Sequence, residues 1–158
     1  MTAFRGIITL KHIFVLAFCV GISATLANAL QWRDCGSEAT IFNVFVSSCE
    51  DQSTCPMKKG SNVSLVVWFE PNKQITKATA SMRGIMAGVP LPFPLQNPDG
   101  CKDSGLKCPL VGYESYNYTN SVYMHENYPT VKLLVEWELR DQNGDVIWCI
   151  LVPAKIIN

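Results

Sequence analysis

The sequence predicts an all-β protein, an antiparallel sandwich of about seven strands. Apolar and polar residues alternate far more often than apolar residues recur at helical spacing, and no segment shows a sustained amphipathic helix. Turn residues separate the alternating segments at short intervals. Six of the seven cysteines follow an apolar N-terminal stretch, an even number in a chain bound for an oxidising compartment. These three features indicate a disulfide-linked β-sandwich.

The N-terminal segment has the three parts of a secretory signal. Arg5 and Lys11 occur without an acidic residue, residues 13–26 are almost wholly apolar, and Ala27-Asn28-Ala29 supplies small residues at the cleavage positions. A membrane anchor would need about 20 spanning residues, and this apolar stretch is shorter. We therefore expect a signal peptide over residues 1–29 and one secreted domain over residues 30–158.

Four segments carry the clearest strand signals. Alternation is evident at residues 42–46, 63–69 and 131–139, where one face is apolar and the other largely polar. The last of these is followed by Asn143-Gly144, a strong hairpin signal, and then by the apolar segment 146–152. The same turn lacks the downstream glutamate and the oxygen-ligand spacing of a calcium loop. The end of the chain is thus predicted to be a hairpin.

Composition excludes several classes of function. Thirteen basic residues balance thirteen acidic ones, without a basic block, so nucleic-acid binding is not expected. His125 is the single histidine after the signal, and there is no Gly-x-Ser-x-Gly motif. Glu136 and Glu138 could form a carboxylate pair, but we interpret them as solvated acids on the outer sheet surface. We expect no enzymatic activity, no metal site and no cofactor.

The cysteine spacing favours disulfides over zinc. The pairs Cys49/Cys55 and Cys101/Cys108 are separated by more residues than zinc knuckles allow, and no histidine pair accompanies them. Six cysteines permit about 15 pairings, and spacing alone does not select one. The economical choice is two local loops, with Cys35 joined to Cys149.

Alternating prolines mark the segment from Gly88 to Leu95. They remove backbone donors from one edge of an extended chain, so that edge is not expected to join a sheet. The intervening apolar residues project to one side and form what we call the apolar lip: Val89, Leu91, Phe93 and Leu95. A polyproline ligand for an aromatic groove and a simple cap on the core are the alternative interpretations.

Tyrosines cluster between the apolar lip and the strand that contains Trp137. Tyrosine combines an apolar body with a polar tip, which suits a site where an apolar guest is held near water. Core packing explains any one of them, but the cluster beside the apolar lip indicates a binding mouth. Its members are Tyr113, Tyr116, Tyr118, Tyr123 and Tyr128.

Five segments form a characteristic series along the chain: Asp34-Cys35-Gly36-Ser37, the segment from Gly84 to Pro94, Asn97-Pro98-Asp99-Gly100-Cys101, Lys107-Cys108-Pro109 and the segment from Tyr128 to Trp137. In order, spacing and cysteine count, these motifs closely resemble those of the Niemann-Pick type C2 proteins, which belong to the MD-2-related lipid-recognition (ML) family. The resemblance covers nearly all of residues 30–158.

The resemblance implies an immunoglobulin-like sandwich with a hydrophobic cavity between its two sheets, and the disulfide pairing proposed above. Phe93, Met124 and Tyr128 match the family's sterol-entrance positions. Further positions in or near the pocket are matched by Leu91, Tyr118, Tyr123 and Trp137.

The implied function is the binding of a sterol or similar lipid and its delivery to a membrane or acceptor protein, which is intracellular sterol transport. The alternatives are an extracellular carrier of fatty acids or semiochemicals, and a lipid-recognising accessory of innate immunity. We expect a monomer, secreted and acting outside the cell or in the lysosome lumen, with transient contact to a membrane or membrane transporter. A flexible Met124 at the mouth suggests a changed ligand shape.

Two glycosylation sequons complete the sequence features. Asn62-Val63-Ser64 and Asn117-Tyr118-Thr119 both fit the acceptor motif. If Tyr118 faces inward, strand alternation turns Asn117 outward, as attachment of a glycan requires. We therefore expect glycans at Asn62 and Asn117.

Overall fold

The computed structural model describes residues 30–49 and 53–158, so the predicted signal peptide lies outside the described residues. Nine strands and no helix occur in the described part. No helix there is long and apolar enough to cross a bilayer. The strands are β1 (Arg33–Asp34), β2 (Thr40–Val46), β3 (Cys55–Lys58), β4 (Asn62–Glu70), β5 (Thr79–Met86), β6 (Val89–Phe93), β7 (Tyr116–Tyr123), β8 (Lys132–Arg140) and β9 (Val146–Ile157).

The strands form two sheets, which confirms the predicted sandwich. The larger sheet has the order β1-β9-β8-β5-β6, and β3 pairs with β9 off this path. The smaller sheet has the order β2-β4-β7. All pairings are antiparallel except the one between β3 and β9. The strand count exceeds the predicted seven partly because β1 and β3, with two and four residues, are too short to show alternation.

Strand alternation builds the core between the two sheets. On β4, residues 63, 65, 67 and 69 are buried while their neighbours are half-buried or exposed. On β8 and β9, Trp137 lies opposite Ile150 and Val135 lies opposite Val152, and all four are buried. A fully buried aromatic side chain stabilises the fold by roughly 1.5–3 kcal/mol relative to an exposed one. The facing apolar rows hold the sheets together.

The predicted hairpin joins β8 to β9. Gly144 adopts a positive φ of 86°, a conformation that favours glycine. The Asp141 carboxylate accepts hydrogen bonds from the backbone N–H groups of Asn143 and Asp145, at 2.8 and 3.0 Å. The turn is therefore organised by a carboxylate as well as by Asn143-Gly144.

Three disulfides are present in the described part of the chain, and they follow the economical pairing: Cys35–Cys149, Cys49–Cys55 and Cys101–Cys108. The first spans 114 residues and joins the chain segment after β1 to β9. It therefore ties one edge of the larger sheet to the sheet's interior.

Candidate functional site

A small apolar cavity opens at the edge of the larger sheet. Its volume is about 150 Å³. Side chains from β5, β6, β8 and β9 and from the loop before β8 surround it, and almost all are apolar. The lining residues are Met86, Leu91, Pro92, Phe93, Tyr128, Pro129, Val131, Leu133 and Ile156.

Two aromatic rings stand at this cavity. Phe93 and Tyr128 pack edge to face, with ring centroids 5.2 Å apart. Phe93 is able to lie against β5 because Gly84 has no side chain. A Cβ atom there would lie 2.8 Å from Leu133 Cδ1 and closer still to the Phe93 ring. The absent side chain of Gly84 thus creates the space that Phe93 occupies.

Three residues of the apolar lip lie on β6, at the free edge of the larger sheet, and Leu95 follows the end of this strand. β6 pairs with β5 alone, in agreement with the prediction that its prolines leave one edge without backbone donors. Val89 and Leu91 are 58% and 42% exposed, whereas Phe93 and Leu95 pack partly against the core. The lip therefore both caps the core and presents apolar side chains to the surface.

The site residues predicted from the resemblance fall into two groups. Leu91, Phe93 and Tyr128 line the cavity. Tyr118, Met124 and Trp137 are buried in the core and do not line it. Met124 therefore lies deeper than the entrance position expected for it, since none of its surface is exposed.

Tyr123, predicted in or near the pocket, lies on the outer face of the smaller sheet. Tyr118 faces the core, so strand alternation turns Tyr123, five positions later on β7, to the outer face, where it pairs with Asn62. Of the tyrosine cluster, Tyr128 lines the cavity, Tyr118 is buried in the core and Tyr113 is 75% exposed elsewhere. His125 bridges Tyr123 and Tyr128, with ring-centroid distances of 5.1 and 5.4 Å.

Polar atoms also lie within the core. The Asn120 side-chain amide donates a hydrogen bond of 2.7 Å to the Tyr118 hydroxyl. Burial raises the pKa of Tyr118 to about 12, so the hydroxyl stays protonated at physiological pH. Among the described residues, the Nε1 donor of Trp148 is buried without a hydrogen-bond partner. Such a donor is available to a polar group that enters the core.

A wider depression of about 370 Å³ lies beside β6, where polar residues of β5 and β8 meet apolar residues that include Phe93 and Leu95. The sequence interpretation of Glu138 as a solvated acid was wrong, because this residue is only 6% exposed. Its carboxylate forms ion pairs of 3.0 Å with both Arg83 and Arg140, and Arg83 also pairs with Glu136. Cys149 lies next to these acids but is disulfide-bonded. The acids therefore form an arginine-neutralised network.

Several cavity residues were not identified from sequence. Met86, Val131, Leu133 and Ile156 line the cavity but have ordinary strand patterns. Pro129 follows Tyr128 directly and lies within the segment from Tyr128 to Trp137 that carries the family resemblance, but it was not predicted as a site residue. A possible signal was Gly84, a glycine inside a strand pattern, which often marks a close approach of another group.

The chain is similar to known proteins over most of its length. The family model described as ML domain matches residues 29–156. The chain belongs to the ML domain family. This ML domain is 42% identical to the Drosophila melanogaster protein "NPC intracellular cholesterol transporter 2 homolog a" over 132 residues, which cover 82% of the chain and 89% of the relative.

Two further relatives extend the comparison. The Bos taurus "NPC intracellular cholesterol transporter 2" is 36% identical over 149 residues. This alignment covers 93% of this chain and 99% of the relative. The crystal structure of a Niemann-Pick type C2 protein from Japanese carpenter ant superposes with a TM-score of 0.76 at 32% identity. It covers 81% of this chain and 100% of that one. The ML sandwich fold is thereby shared along the whole length of a solved relative.

Proposed function

We propose that this protein binds a sterol or similar lipid between its two sheets and delivers it to a membrane or acceptor protein. The observation that carries the proposal is the apolar cavity lined by Phe93 and Tyr128, which opens beside the exposed apolar lip. Relatives that cover most of the chain are named cholesterol transporters. The proposed role is that of a carrier without catalytic activity.

Ligand entry requires the cavity to expand. Its 150 Å³ lies below the roughly 300–1,000 Å³ typical of small-molecule sites. Expansion is favoured at this edge because β6 has a single hydrogen-bonded neighbour among the described strands and the lining residue Met86 has a flexible side chain. A sterol-sized ligand at about 0.3 kcal/mol per heavy atom gains roughly 8 kcal/mol, which corresponds to about micromolar affinity.

Delivery is assigned to the exposed part of the apolar lip. Val89 and Leu91 project from the rim of the cavity, where they are able to contact a bilayer or an acceptor while the ligand leaves. Transfer along such a contact avoids exposing the ligand's hydrocarbon to water, which is the costly step. We propose secretion through removal of residues 1–29, action in the lysosome lumen or outside the cell, and a monomeric state.

Fatty-acid carriage is the second candidate, and the narrowness of the cavity favours it. A slim acyl chain requires less separation of the sheets than a rigid sterol does. Native mass spectrometry of protein purified from its own tissue distinguishes the two candidates by ligand mass. A preparation that contains neither lipid and binds neither when offered would contradict both.

The assignment of the mouth is tested with two matched variants. Phe93→Ala removes a ring that lines the cavity, whereas Phe45→Ala removes an exposed ring on the outer face of the smaller sheet. We expect Phe93→Ala to slow sterol transfer between vesicles at least tenfold and Phe45→Ala to leave it unchanged. Equal transfer rates for both variants would refute the assignment of the mouth.

A further inference from the structure

An exposed aromatic patch covers part of the outer face of the smaller sheet, away from the cavity lining. It consists of Phe42, Phe45 and Trp68, which are 48%, 42% and 47% exposed. The rings of Phe42 and Trp68 lie 5.4 Å apart with an interplanar angle of 58°. Grouped apolar side chains at a surface generally mark a contact site, and the proposed lipid carriage does not use them.

The sheet register places a glycosylation sequon on this patch. Asn117 of β7 lies directly opposite Trp68 of β4, and Thr119 lies opposite Val66. Tyr118, between them, is fully buried toward the core, so Asn117 and Thr119 face outward. Side chains directly opposite each other on antiparallel strands have Cβ atoms about 4.5–5.5 Å apart. The acceptor amide of the sequon is therefore a direct neighbour of the Trp68 side chain.

We propose that an N-linked glycan at Asn117 packs its first sugars over Trp68 and Phe42. The C–H face of a pyranose ring is apolar and complements the electron-rich face of an aromatic ring. The sugar hydroxyl groups then replace the aromatic surface with a hydrophilic one. The inference rests on the proposed route through the secretory pathway, because the glycan is added there.

The second sequon repeats the arrangement. Asn62 of β4 lies directly opposite Tyr123 of β7, in the same ladder and on the same outer face. Both acceptor asparagines are exposed, and each has an aromatic cross-strand neighbour. A bilayer or a second protein copy that pressed against Trp68 would have to displace the glycan at Asn117. We therefore infer that the glycan at Asn117, and not a bilayer or a second copy of the chain, covers the exposed aromatic patch.

The test uses the full chain secreted from eukaryotic cells, with intact mass reporting glycan occupancy. We compare thermal unfolding of the wild type, Asn117→Gln, Trp68→Thr and the double variant. Loss of the glycan should lower Tm by about 2–6 °C when Trp68 is present and by less than about 1 °C when it is absent. Asn62→Gln is the control, because its effect should not depend on Trp68.

Enzymatic trimming of the folded wild type removes any ambiguity about folding of the variants. An endoglycosidase that leaves one N-acetylglucosamine should preserve Tm, whereas complete removal of the glycan should lower it. An unoccupied Asn117, or equal losses with and without Trp68, would overturn the inference. Lipid binding should be unchanged throughout, so a failure here is distinguishable from a failure of the carrier proposal.

Discussion

Replacing Gly84 with alanine tests how the mouth is built. The added Cβ would lie 3.3 Å from one Phe93 ring carbon, closer to another, and 2.8 Å from Leu133 Cδ1. Such overpacking typically costs 1–3 kcal/mol. The φ of Gly84 lies outside the positive range, so alanine meets no backbone strain and the cost comes from packing. We expect Tm to fall by roughly 3–10 °C.

A double-mutant cycle identifies the source of that cost. In a Phe93→Ala background the ring that obstructs the added Cβ is absent, so Gly84→Ala should lower the free energy of unfolding by less than about 1 kcal/mol. The coupling energy between the two substitutions should then be about 1 kcal/mol or more. In a Leu133→Ala background the coupling should be smaller, because Cδ1 is the far end of a flexible side chain. Urea unfolding of the four variants of each cycle measures both couplings. If alanine at position 84 costs the same with and without the Phe93 ring, Gly84 does not seat the ring and the reasoning is refuted.

Two further predictions concern stability. Burial alone would raise the pKa of Asp141, but hydrogen bonds from Lys73 and from backbone N–H groups outweigh it and hold this pKa below its ordinary 3.8. The resulting stabilisation is therefore complete above about pH 3.8 and lost as pH falls below it. Unfolding of Asp141→Asn measured from pH 7 to pH 2 should show a weaker loss at the acid end than the wild type shows. Replacing Cys35 and Cys149 together by serine opens a 114-residue loop and should cost about 4.7 kcal/mol in guanidinium unfolding; a loss below about 1 kcal/mol would contradict the chain-entropy explanation.

Much of the fold was predictable because alternation reports burial directly. The strand β4 and the first part of β8 each have one buried row, and the Asn143-Gly144 turn fixes the last hairpin, although β9 is buried on both faces at residues 147–150. The short strand β3 was not predictable, because its parallel pairing with β9 joins segments about 100 residues apart. Four residues carry too little pattern to reveal a partner so distant in sequence.

The candidate site was only partly predictable, for a related reason. Alternating prolines located β6 at a sheet edge, and that placed Leu91 and Phe93 at the mouth. The outward direction of Tyr123 was not predictable, because family motifs align positions, whereas the inward or outward direction of a side chain depends on strand register. The burial of Glu138 was missed because its arginine partners lie on β5 and on its own strand, a cross-strand arrangement that composition does not reveal.

Sheet order also explains why opening at the mouth need not unfold the protein. The long-range disulfide joins Cys149 of β9 to the chain beside β1, at the edge opposite β6. Between these edges, β8 and β9 bury Trp137, Trp148 and Ile150 against the smaller sheet. Displacing β6 disrupts hydrogen bonds to β5 alone, and local opening of this kind has a lower free energy than global unfolding. The edge that must move for a lipid to enter is therefore the one that no disulfide restrains.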